Sequence, residues 1–164
     1  MKRLIPIVLA LAVGLLAGCG RQPSHAPPQT SVPHHEHKPP HHGTPIVLGN
    51  EEYHVELVLD APSGRLQAYI MDGELENFVR VPTESFAMTA MLSGQEEVLT
   101  FKAVGNRATG EKVGDTALFE AQADWLKTNA AFDAVLRQLT VRGTTYQDVR
   151  FNFPKGNDTD ESPK

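Results

Sequence analysis

Residues 53–60, YHVELVLD, and 65–72, RLQAYIMD, alternate polar and apolar side chains on either side of Ala61-Pro62-Ser63-Gly64. A period of two places Tyr53, Val55, Leu57 and Leu59 on one face of a half-buried strand, and Leu66, Ala68 and Ile70 on one face of the next. Pro, Ser and Gly supply the intervening turn, so the pair predicts an antiparallel β-hairpin. Further strands are expected at 78–81, 86–92, 99–104, 135–141 and 146–153, the last two joined by Arg142-Gly143. Only residues 118–131 predict a helix, with Phe119, Ala123, Leu126 and Ala130 at three-to-four spacing around Trp125. Many short strands, Gly- and Pro-bearing turns and one short helical insert define a mainly β class: a single antiparallel β-sandwich-like or barrel-like domain.

The expected domain covers residues 45–154, about 110 residues, enough for one modest core. The segments around it are of another kind. Lys2 and Arg3 precede a nearly unbroken apolar run over residues 4–16, too short to span a bilayer and proportioned like a signal-peptide core. It closes on Leu16-Ala17-Gly18-Cys19, which resembles the lipobox of bacterial lipoproteins. That resemblance implies a signal peptide over 1–18 and cleavage before Cys19. It also implies a diacylglyceryl group on the thiol and fatty acylation, as by palmitate, of the new amino terminus. Several acyl chains on one residue make a stable membrane anchor. Gly20 after the cysteine implies the outer membrane, on its periplasmic side.

Cys19 is the only cysteine, which excludes an intrachain disulfide and a thiol redox role in the folded part. Without residues 1–18 the chain carries 13 basic and 20 acidic side chains. A surface of that sign does not seek nucleic-acid phosphates, so no nucleic-acid partner is expected.

Residues 20–45 contain seven of the twelve prolines together with Ser, Gln and His. Proline at this density favours an extended, hydrated path, so 19–44 reads as a disordered, semi-rigid tether behind the lipidated cysteine. At about 3.1 Å per residue it reaches roughly 75 Å. The tail, 155–164, is polar and expected to fray.

His42-Gly43, then Val47-Leu48-Gly49, HVELVLD at 54–60 and RLQAYIMDG at 65–73 are similar to a β-domain near the amino terminus of heavy-metal efflux periplasmic adaptors, the membrane-fusion subunits. With GDTALFEAQADWL at 114–126 included, most of the chain resembles uncharacterised bacterial lipoproteins in which a His- and Pro-rich tether precedes one such domain. The resemblance implies periplasmic metal handling and matches His42 and His54 to the family's histidines. Gly43-Thr44 stands where an adaptor domain often has a Gly-Gly pair. Nothing resembles the adaptor's coiled-coil hairpin or lipoyl-like domain, so a bridging role between pump and outer channel is not expected.

The tether concentrates the chemistry. His34, His35, His37, His41 and His42, with Glu36 among them, lie within residues 31–43. Neutral imidazole is a good ligand for Zn²⁺, Cu²⁺ and Ni²⁺, and a four-coordinate site needs only three histidines with a water or carboxylate. In an extended helix with three residues per turn, His34 and His37 share a side about 9 Å apart, so one ion must fold the segment around itself. That costs ordering entropy, and the tract reads as weak, adaptable capture of several ions with no tightly bound cofactor, or as a solvated spacer.

Within the domain, the alternation sets His54 and Glu56 opposite the apolar face, either as an exposed polar pair or as metal ligands completed by His42. Met88 and Met91 point to opposite faces of a strand, and with Met71 they read as packing residues rather than a Cu⁺ site.

No catalytic residues are expected. A domain with no cysteine and His54 as its one histidine has no Cys-His pair, and Ser63, Ser85 and Ser93 lie in no nucleophile-elbow pattern. Thr109-Gly110-Glu111-Lys112 lacks the glycine spacing of a phosphate loop. Two classes remain open: a lipid-anchored module that binds or sequesters divalent metal ions, and a non-catalytic structural lipoprotein whose β-domain docks a protein partner.

Overall fold

The computed structural model describes residues 38–158, and these fold into eight antiparallel strands. They are β1 (Thr44–Leu48), β2 (Tyr53–Asp60), β3 (Arg65–Asp72), β4 (Ser85–Leu92), β5 (Gln95–Ala103), β6 (Leu118–Gln122), β7 (Phe132–Val141) and β8 (Thr144–Phe153). All belong to one nearly closed sheet in the order β1-β2-β3-β6-β5-β4-β7-β8. The mainly β, barrel-like class follows from the alternation, and the β2–β3 hairpin pairs in register from Tyr53 opposite Asp72 to Asp60 opposite Arg65.

Two other hairpins turn on two residues each: Ser93-Gly94 between β4 and β5, and Arg142-Gly143 between β7 and β8. All four have positive φ, from 48° to 91°. Turns of this hand match the right-handed twist of the flanking strands, and glycine enters them without strain.

Inward-facing residues of every strand make one core. Phe101, Phe119, Leu57, Leu66, Ile70, Met88 and Leu136 are fully buried in it. Phe86 stacks on Phe101 at 5.0 Å between ring centroids and meets Phe119 edge-on at 5.1 Å. The buried positions of β7 run Phe132, Ala134, Leu136 and then Leu139, Val141, so the inward phase slips once. The slip falls where Arg137 and Asp148 interrupt the β7–β8 ladder, with Asp148 at φ 50°. The register is the same on either side of the gap, so no residue is inserted in either strand.

The ends of the strand order meet through side chains. The carboxamide of Asn157 accepts from the Val47 amide at 2.7 Å and donates to the Val47 carbonyl at 3.1 Å, as a neighbouring strand's peptide group would. Thr44 Oγ1 donates to the Pro154 carbonyl at 3.1 Å. Residues through Asn157 thus belong to the folded unit, beyond the boundary expected at 154.

Three local expectations change. Residues 118–122 are strand β6, and only Asp124–Lys127 forms a short 3-10 turn. Phe119 and Ala121 point inward at a period of two, and β6 pairs with β3 on one side and β5 on the other. Ladder pairing overrides a local helical spacing. Residues 78–81 form two single bridges, Met71 to Phe78 and Val81 to Thr116, rather than a strand. Met88 is a core residue as expected, whereas Met91 is 44% exposed on the outer face.

Candidate functional site

A second buried layer lies outside the barrel core. Met71 and Leu75 are buried yet stand apart from the main cluster, and His54 and Glu56 are buried as well, 3% and 0% exposed. The exposed polar pair expected on β2 is therefore corrected: the face opposite Val55 and Leu57 is covered. Part of the cover is the end of the expected tether, which is folded.

Pro39 to His42 make a turn closed by the His42 amide on the Pro39 carbonyl at 3.0 Å. His42 holds φ 57°, and this left-handed residue turns the chain so that the amides on either side of its own, those of His41 and Gly43, point at one place. They point at Glu56. Its Oε1 accepts from the amides of His41 and Gly43, each at 2.9 Å, and its Oε2 lies 2.8 Å from His41 Nδ1. Glycine is required at 43, because a Cβ there would sit 2.5 Å from the Leu57 carbonyl oxygen and 2.8 Å from Glu56 Cγ. A carboxyl group removed from water needs such partners, since an unpaired buried charge is costly.

The His41 ring is fixed on a third side. It stacks on Tyr69 with centroids 4.0 Å apart and planes 15° from parallel, and Phe78 leans over both from 5.8 Å and 5.9 Å. Tyr69 is the cross-strand neighbour of Glu56. Burial, and then the charges of Glu56 and Glu120, push its phenol above the ordinary value, against the lowering effect of Arg65. The His41 side chain remains 34% exposed.

The arrangement has a defined chemistry. An ionised carboxylate only accepts, so beside it the Nδ1 position of a neutral His41 would carry the proton of the shared hydrogen bond, and the lone pair would fall on Nε2. A carboxylate that orients an imidazole in this way fixes its tautomer and raises its basicity as a ligand.

The expected ligands are thus sorted. His41 is held on the domain with one nitrogen committed. His42 is exposed beside it. Glu56, expected as a ligand, directs its two oxygens to three hydrogen bonds from the segment above it. His54, also expected as a ligand, is buried, with Nδ1 3.3 Å from the Asp72 carbonyl oxygen. His34, His35, His37 and the lipidation residue Cys19 lie outside the described residues. Among the described residues, no three His, Cys, Asp or Glu side chains cluster as a ligand set. The folded unit also holds His41 and His42 besides His54, which corrects the single-histidine expectation. The turn signal Pro39-Pro40-His41-His42-Gly43 was present in the sequence but was masked by the tether composition around it.

No family model, curated protein or solved structure matches the chain.

Proposed function

We propose that the chain is a lipid-anchored periplasmic protein that binds and sequesters divalent transition-metal ions, with His41 as its positioned ligand. The single observation that carries this reading is the Glu56–His41 pair: a buried carboxylate lies 2.8 Å from one ring nitrogen, so the neutral ring would present the other as a donor atom to a metal. His42 is adjacent, and the histidine-rich stretch runs directly into the same turn. Zn²⁺, Cu²⁺ and Ni²⁺ suit imidazole donors. The resemblance to efflux-adaptor domains supports a place in metal homeostasis, and the lipobox supports the anchor at Cys19. The pair acts as a ligand and its support, and the reading is non-catalytic.

Titration calorimetry of the protein with Zn²⁺ and Cu²⁺, beside Glu56→Gln and His41→Gln, tests it. Loss of an orienting carboxylate lowers metal affinity about 10- to 100-fold in comparable sites, and that is the result expected for Glu56→Gln. Wild-type affinity in both variants would remove His41 from the site. No binding by the wild type at micromolar metal would leave the partner-docking lipoprotein as the surviving reading.

A further inference from the structure

Beside the His41–Glu56 pair is a concavity of about 270 Å³, lined on one side by His41, Tyr69 and Phe78 and on the other by Asn106, Thr109 and Glu111. Phe78 is 51% exposed, a large aromatic side chain left open at the rim. The far wall is a rigid loop. Asn106 and Glu111 exchange two backbone hydrogen bonds of 3.0 Å and 2.9 Å. The Glu111 carboxylate also ties the loop to the two residues before β6, accepting from the Ala117 amide at 2.9 Å and the Thr116 hydroxyl at 3.3 Å, while Thr109 donates to its other oxygen.

We infer that this concavity binds a small organic cation with an alkylated nitrogen, of the quaternary-ammonium class, between the aromatic wall and the Glu111 carboxylate. Three features select that chemistry. Aromatic faces attract cations through the ring quadrupole, and they do so best for cations that shed water easily. Burial raises the Glu111 carboxyl, but the hydrogen bonds from Thr109, Ala117 and Thr116, with the charge of Arg80, bring it below the usual carboxylate range, so it is ionised at neutral pH. Its oxygens already accept three hydrogen bonds, and those of Glu56 accept three more. Both carboxylates keep their field but have few lone pairs left. That arrangement favours a cation that donates no hydrogen bond over a primary ammonium. Arg80, whose charge reaches Glu111, is committed to the Thr109 carbonyl and to Asp115 at 3.5 Å. The volume suits a ligand below drug size.

The site does not depend on the metal reading, and the test is made in a chelator so that the two fail separately. The full chain carrying Cys19→Ser, which removes the anchor, is titrated with choline and with its neutral isostere 3,3-dimethylbutan-1-ol. Calorimetry and the ring signals of Phe78 and Tyr69 report binding. Choline is expected to bind about tenfold more tightly than the isostere, and Phe78→Leu, which keeps bulk and removes the ring, to weaken choline about three- to thirty-fold. Glu111→Gln should weaken it as well, provided its melting temperature shows a folded chain. Flotation with phosphatidylcholine but not phosphatidylglycerol vesicles would place the ligand on a lipid headgroup. Binding of free choline without flotation would make it a solute, and either supports the assignment. Equal affinity for the isostere, an unchanged Phe78→Leu, or no choline binding up to millimolar concentration would overturn it.

Discussion

Gly43 and Tyr146 show how single residues fix the architecture around the site. Gly43 lies between a carbonyl oxygen and a carboxylate stem, both closer than any Cβ tolerates. Gly43→Ala is expected to cost about 1–3 kcal/mol in urea unfolding, because overpacking must push the 39–43 segment away from Glu56. Tyr146 ties β8 to the β1–β2 turn, its hydroxyl donating to Glu52 Oε2 at 2.6 Å. Burial, then the hydrogen bond to Glu52 and that residue's charge, push its phenol up to about 12 from 10.0. The neutral form is favoured by folding, so this contribution is fully present below pH 10 and disappears as pH rises through about 12. Stability should therefore fall across that window, and Tyr146→Phe should flatten the fall. Absorbance at the phenolate band, followed beside circular dichroism, checks both.

At the scale of elements, the alternating strands were legible because a half-buried sheet writes its period into the sequence. β2, β3 and β4 pair where their apolar residues repeat every second position. What escaped has particular causes. β1 begins beside a proline-rich tract and carries Pro45, which hides it from a strand reading. As an edge strand, however, β1 tolerates a residue without an amide donor. β6 imitates a helix because Phe119 and Ala123 are four apart, a spacing that two-residue alternation also satisfies. The phase slip in β7 hides its full length from a strict period-two reading. The contact between Asn157 and Val47 is a pairing 110 residues apart and leaves no local trace. Because Asn157 supplies both bonds that a missing neighbour strand would supply, Asn157→Ala should speed amide exchange at Val47 and lower stability by about 1–3 kcal/mol. Unchanged exchange at that amide would mean that the seam is held elsewhere.

For the whole molecule, the decisive point is where the tether ends. Composition assigns residues 19–44 to one extended segment, yet Pro39 to His42 form a turn and His41 rests on the barrel's outer layer. The site was half legible for the same reason. The histidines and Glu56 were visible as donors, but a pair 15 residues apart needs the turn at 39–42 and the β1–β2 ladder to bring it together. On the proposed reading, metal capture at His41 would be coupled to folding, because the ring lies against a carboxylate that the folded domain positions. A ligand that binds the native state alone stabilises it by about 2.7 kcal/mol at 100 times its dissociation constant, and less where the unfolded histidines also bind. The melting temperature of the wild type should accordingly rise with Zn²⁺ or Cu²⁺. His41→Gln should abolish that rise while His34, His35 and His37 still take up ions in calorimetry. If metal binds but the melting temperature does not move, capture belongs to the histidines preceding residue 38, and the Glu56–His41 pair serves only to clamp the tether to the domain.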